Sequence, residues 1–236
     1  MKDRILQLLR EQDSFAAIEF AIANADALTS VIALDELMRD LYWKQKDLPN
    51  SVVLGRAAAQ HGLVSASAVA STDAPLAVQL RGKAKAICYN IASFTWRGWG
   101  EEGIVITPPD ERIGRDAARA NLRLAVELNK GDLALSRAHW MIGAHQLSQA
   151  DYSTALASFR KAVDFARLAS ERGDEALSTA YCHLTEFRLA LTEASRDQLL
   201  ESIRMLTEFN DGEFLGQFTA AVNIFGSGDL AVALSA

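Results

Sequence analysis

HWMIGAHQLSQADYSTALASFRKAV, residues 139–163, is the stretch whose reading decides the fold. Apolar residues recur at three- and four-residue spacing on both sides of a polar break at Ser148–Asp151, the pattern of two amphipathic helices joined by a tight turn. Gly143 and Ala155 are small where the two helices cross closely, Tyr152 and Phe159 supply bulk between them, and Ala162 admits a following helix. Asp151 stands where its carboxylate is expected to accept backbone N–H groups at the start of the second helix.

The same joint recurs on either side. Tyr42…Asp47-Leu48-x-x-Ser51, Gln146…Asp151-Tyr152-x-x-Ala155 and Ile224…Asp229-Leu230-x-x-Ala233 each place an Asp and a large residue three positions before a small one. Helical periodicity covers 15–29, 32–46, 50–62, 75–97, 110–130, 133–148, 151–171, 174–194, 196–209 and 212–225, with no sustained period-2 run. Breaks are expected at Pro49, Gly62, residues 71–75, residues 94–111, Gly131, Gly173 and Asn210–Gly212. The reading is an all-α chain of antiparallel helical hairpins.

These residues resemble the tetratricopeptide repeat (TPR), whose unit is a helix-turn-helix of about 34 residues with small and aromatic positions at fixed offsets. Residues 136–169 match it well, although His139 and Gln146 stand where an aromatic is common. A second match is split: Ile91 and Ala92 close one helix and Ala118, Leu122 and Ala125 mark the next, with about fourteen extra residues between. Residues 32–62 match weakly and 178–209 only in their first helix, while a long second helix such as FRKAVDFARLASERGD is similar to lengthened repeats of signalling scaffolds. The resemblance implies one TPR-like right-handed superhelix, an α-solenoid. Its expected parts are N-terminal capping helices at 1–31, hairpins at 32–62, 75–130, 133–171 and 174–210, and a C-terminal capping segment at 212–236. It further implies a concave groove lined by first helices, and carrying those positions over gives Trp43, Tyr89, Ser93, Trp96, Arg97, Arg137, Trp140, Leu147 and Ser148. Trp and Arg concentrate binding energy in interfaces, yet Trp is also ordinary filler between helices, so recognition surface and core packing both stand as readings.

Half of the 236 residues are hydrophobic, enough for a continuous core, and the net charge of −6 is spread along the chain. No Lys/Arg cluster is available to neutralise a row of phosphates, which argues against nucleic acid as partner. The two cysteines, Cys88 and Cys182, lie far apart in helical segments and suggest neither a disulfide framework nor a metal site. The stretch before Arg10 is too short for a secretory signal, and no run of about 18 uncharged apolar residues exists to span a membrane. A cytoplasmic protein without membrane insertion is expected.

The split repeat contains FTWRGWGEEGIVITPPDE, residues 94–111. Thr107-Pro108-Pro109-Asp110 reads as a helix start, with Thr as cap, proline at the first helical position and an acid in the first turn. Gly98, Gly100 and Gly103 free the backbone before it, and the Ile104-Val105-Ile106 patch is expected to fold back and be buried against a helix. Such a loop is either a structural flap or one that also covers a binding surface.

Catalytic arrangements are weak. Of the four histidines, His61, His139, His145 and His183, the pair His139 and His145 is separated by about 240° around a helix and does not share a face as metal ligands would. Glu101, Glu102, Asp110 and Glu111 suit solvation or capping better than acid/base work, and no G-x-S-x-G turn or phosphate-cradling glycine loop occurs. We therefore expect no enzyme, no metal and no cofactor. The expected function is a protein–protein interaction scaffold whose groove captures a peptide or partner helix, with Arg97 and Arg137 selecting an acidic group. The alternative is a regulatory module sensing a small ligand under the 98–107 flap. GDLAVALSA, residues 228–236, either caps the array or swaps onto a second subunit to form a homodimer.

Overall fold

The structure, a computed structural model, describes residues 1–208 and 212–226. The repeat copy ending at Ala233, the joint at Asn210 and the segment 228–236, with its capping or dimer-forming role, lie outside the described residues. Among the described residues the chain is all-helical and has no strand. Its helices are α1 (Lys2–Glu11), α2 (Ser14–Ala23), α3 (Ala27–Gln45), α4 (Leu48–Val69), α5 (Ala74–Phe94), α6 (Pro108–Glu127), α7 (Asp132–Ser148), α8 (Tyr152–Leu168), α9 (Arg172–Ala190), α10 (Glu193–Glu208) and α11 (Gly212–Phe225). A single 3-10 turn, Arg97–Trp99, lies between α5 and α6. The chain divides into two compact units: Met1–Thr95 with Gly103–Leu128, and Trp96–Glu102 with the residues from Asn129 on.

In the first unit α3, α4, α5 and α6 each pack on their neighbour in sequence. The helix starts follow side-chain chemistry: Asp47 accepts from the Asn50 N–H at 3.1 Å, and Asp26 accepts from the Thr29 N–H at 3.0 Å. That Asp26 cap starts α3 earlier than periodicity placed it and separates it from α2. Gly62, expected to break a helix, instead lies inside α4. A Cβ there would sit 3.4 Å from Val31 on α3 and 3.5 Å from the Leu80 carbonyl oxygen on α5, ordinary contact distances at a point where three helices meet. Ser51 Oγ donates to the Met38 carbonyl at 2.9 Å; with Gly62 beside Val31, this fixes α3 and α4 as antiparallel.

The start of α6 matches its reading. The Thr107 N–H donates to Asp110 Oδ2 at 2.9 Å, the Asp110 N–H donates back to Thr107 Oγ1 at 3.5 Å, and Pro108 occupies the first helical position. The Ile-Val-Ile patch before it departs from its reading. Extended backbone sends alternate side chains to opposite faces, so Ile104 and Ile106 are half-buried while Val105 is 81% exposed.

In the second unit α7 and α8 form the hairpin that the opening stretch encodes. Ser136 Oγ donates to the Ala162 carbonyl at 2.8 Å and Ser158 Oγ donates to Gln146 Oε1 at 2.7 Å, pairs that fix the helices as antiparallel. Between them Gly143 faces the Phe159 ring, which is fully buried. Asp151 differs from its reading: its side chain makes no capping bond, and only its backbone carbonyl accepts, from the Ala155 N–H at 2.9 Å. Next, α8 packs on α9, with Tyr152 over Arg188 and Arg160 bonded to Glu186 at 2.9 Å, and α9 packs on α10. Because α7 also meets α9 and α9 meets α11, the odd-numbered helices stand side by side in one row.

Candidate functional site

The 3-10 turn sits on that row, touching α7 and α11. Periodicity carried α5 through residue 97, but the helix stops at Phe94, so Trp96 and Arg97 belong to the turn and not to a helix face. Trp96 takes an extended backbone, and its ring folds back under Gly98, where any Cβ would run into the indole. Gly100 closes the turn with its N–H donating to the Arg97 carbonyl at 3.1 Å; its φ of 57° suits glycine, and it lies against Ile224 of α11.

The seat is aromatic. Trp96 is fully buried and its Nε1–H donates to the Ala144 carbonyl at 2.9 Å. Its ring meets Trp99 at 4.7 Å and Trp140 at 5.4 Å edge-on, and stacks on Phe225 at 6.0 Å. Trp140 in turn meets Tyr181 edge-on at 5.1 Å, and Tyr181 touches both Phe159 and Phe218 at 5.2 Å. Edge-to-face pairs of this kind add about 0.5–1.5 kcal/mol each beyond the area they bury. Arg97 stays exposed, its guanidinium 5.2 Å from the Phe225 ring centre and bonded through one nitrogen to the Ser148 carbonyl at 2.6 Å. That carbonyl ends α7, where the helix dipole favours a cation.

Three buried polar atoms here have no hydrogen-bond partner among the described residues: Trp140 Nε1, Tyr181 Oη and Ser148 Oγ. Burial holds the Tyr181 hydroxyl's pKa well above its ordinary value, so it stays a neutral donor. A buried donor left unpaired costs about 1–3 kcal/mol. The row therefore combines strong apolar packing with unmet hydrogen-bond demand.

Of the carried-over residues, Trp96, Arg97, Trp140, Leu147 and Ser148 come together in this unit, with Leu147 buried. Arg137 lies one helical turn before Trp140 but reaches the other way, donating from Nε and Nη2 to Asp174 at 2.8 and 3.1 Å. The acidic group it was expected to select in a partner is supplied by α9. Tyr89 and Ser93 lie half-buried on α5 of the first unit, with Lys85 over the Tyr89 ring at 5.9 Å. Trp43, also in the first unit, is 55% exposed and edge-on to Tyr42 and Phe94.

Sequence reading missed Trp99, Tyr181, Phe218 and Phe225 as members of the cluster. Tyr181 had a usable signal, since residues 178–209 match the repeat in their first helix, the helix that carries it. Of the other groups considered, Asp110 serves the α6 cap, His139 stacks on Phe165 at 5.5 Å, and His183 Nδ1 pairs with Ser202 Oγ at 2.6 Å. Among the described residues no three His, Cys, Asp or Glu side chains gather as metal ligands, and no helix is long and apolar enough to cross a membrane. No protein-family model matches this chain, and no curated protein matches it.

Proposed function

We propose that this chain is a TPR-like α-solenoid serving as a cytoplasmic protein-binding scaffold without catalytic chemistry of its own, and that the α7–α9–α11 row is the surface that receives a partner peptide. One observation carries the reading: the row already holds a non-helical segment, through a buried Trp bonded to a helix carbonyl and an exposed Arg bonded to a helix end. Packing between neighbouring hairpins supports it, because alternate helices side by side form a continuous wall of side chains. Partner capture would bury an aromatic anchor against Trp140, Tyr181 and Phe225, the rings that Trp96 meets on α7, α9 and α11.

The test is a peptide-display selection on the immobilised full chain, followed by calorimetric titration of the enriched sequences. Enriched peptides should carry an aromatic residue, and Phe225→Ala should weaken them at least fivefold. Enrichment of nothing above background, or titration curves indifferent to Phe225→Ala, would sink the assignment.

A further inference from the structure

We infer that residues 96–102 are a resident competitor on this row, and that the incoming partner is an extended segment pairing a bulky aromatic with a hydrogen-bond acceptor. The inference rests on the binding role proposed above and adds to it what the partner must displace and what chemistry lets it win.

Two independent observations converge. The first is how the segment is held. It contributes one fully buried ring, the half-buried Trp99 stacked on Trp140 at 5.8 Å, and one arginine, on a turn that contains Gly98, with the Trp96 indole where a side chain would be, and is followed by Gly100 and Gly103 at φ of 57° and 80°. It is thus anchored by a few side chains on a backbone rich in glycine, the composition that allows a segment to leave without unfolding the helices beneath it. The second is what the segment fails to supply. Trp140 Nε1 and Tyr181 Oη are buried donors on touching rings, and among the described residues neither finds an acceptor while residues 96–102 are seated. The segment spends its indole N–H on Ala144 and its guanidinium on Ser148, and neither bond serves the Trp140 or Tyr181 donor. A competitor that fills the Trp96 position and also presents a carbonyl or carboxylate to Trp140 and Tyr181 makes bonds that the resident cannot.

The probe is a fluorescent peptide of residues 92–102, ASFTWRGWGEE, titrated against the wild-type full chain and against Trp96→Ala/Trp99→Ala, with circular dichroism confirming helix content. The vacated variant should bind at least tenfold more tightly than wild type, and the peptide carrying its own Trp96→Ala should bind neither. Where the double variant loses helix, Gly98→Ala in the full chain replaces it, since the added methyl group forces the Trp96 ring from its seat. An aspartate scan of the peptide should yield a member that binds the vacated row at least tenfold better than the resident sequence. Equal affinity for wild type and vacated chain overturns the competitor role, and a scan without a gain overturns the acceptor requirement. If peptides from the display selection bind wild type while ASFTWRGWGEE binds neither protein, the scaffold stands and this inference alone falls.

Discussion

Gly143→Ala tests the α7–α8 hairpin at its tightest point. A Cβ built at Gly143 lies 2.8 Å from both Cδ1 and Cε1 of Phe159. Carbon atoms pack comfortably at about 3.5–4.0 Å, so the ring must retreat by close to an ångström. It has little room to do so, because Phe159 is fully buried with Tyr181 stationed 5.2 Å from its centre. Overpacking of this kind costs about 1–3 kcal/mol. Replacing glycine by alanine inside a helix returns about 1 kcal/mol, which leaves a net destabilisation of about 1 kcal/mol, rising to about 2 where the ring cannot move. Gly216→Ala is the control: Gly216 is exposed on α11 with open space around it, so the same change should stabilise by about 1 kcal/mol. In a Phe159→Leu background the clash disappears and Gly143→Ala should become neutral or stabilising, a coupling of about 1–3 kcal/mol. Urea unfolding followed by tryptophan fluorescence reads these values as shifts in midpoint at constant slope. If Gly143→Ala behaves like Gly216→Ala, and does so in both backgrounds, the helices do not cross where the contact places them.

Asp35, on α3, gives a pH-dependent expectation. Burial pushes its carboxyl above the ordinary aspartate value despite Arg39, Lys83 and a hydrogen bond from Asn90 pulling it down, with Glu36 adding a small upward push. The folded state therefore keeps this proton to higher pH than the unfolded chain, and stability is lost as pH rises from the unfolded value through the folded one. Asp35→Asn should raise the melting temperature at pH 7, with the gain vanishing in acid as the wild-type carboxyl becomes protonated. Arg137→Ala strands the largely buried Asp174 and should lower stability by about 1 kcal/mol after allowance for the half-exposed guanidinium. Arg137→Lys should recover only part of that loss, since a single ammonium cannot reproduce the forked pair. Burial pushes the Cys88 and Cys182 thiols up to about 11 and about 12, so both should resist a disulfide reagent at pH 8 in the native protein and react within seconds in denaturant.

What the sequence made legible was local. The Thr107 cap and the Gly143 crossing could be read because their causes lie within a few residues or within one hairpin. Gly62 was misread because a helix-breaking tendency of about 1 kcal/mol is easily outweighed by the packing of α4 against α3 and α5, which is invisible without the neighbouring helices. Asp151 was misread for a different reason: its backbone angles (φ −83°, ψ 67°) nearly match those of Asp47 (φ −93°, ψ 77°), whose carboxylate does cap, so neither residue type nor backbone distinguishes the two. Trp96 is the instructive failure. Apolar spacing continues past Phe94, and only the distant Ala144 carbonyl and the rings of α7, α9 and α11 explain why the chain leaves the helix there.

That departure also explains why four large rings from four different elements can share one face without harm. Left bare, Trp140, Tyr181 and Phe225 would form a contiguous apolar patch of the kind that drives association of unfolded or unpaired chains. Covering them with residues 96–102 removes the hazard at the cost of an equilibrium that any partner must pull against. If the segment is seated a hundred times more often than it is lifted, the partner's apparent dissociation constant is a hundredfold weaker than its intrinsic one. The unpaired Trp140 and Tyr181 donors act in the other direction, because each lessens the margin by which the seated state wins. A substitution that gave either donor a partner from the chain itself, without touching Trp96, would tighten the seat and weaken partner capture, even though every contact with the partner's aromatic anchor was preserved.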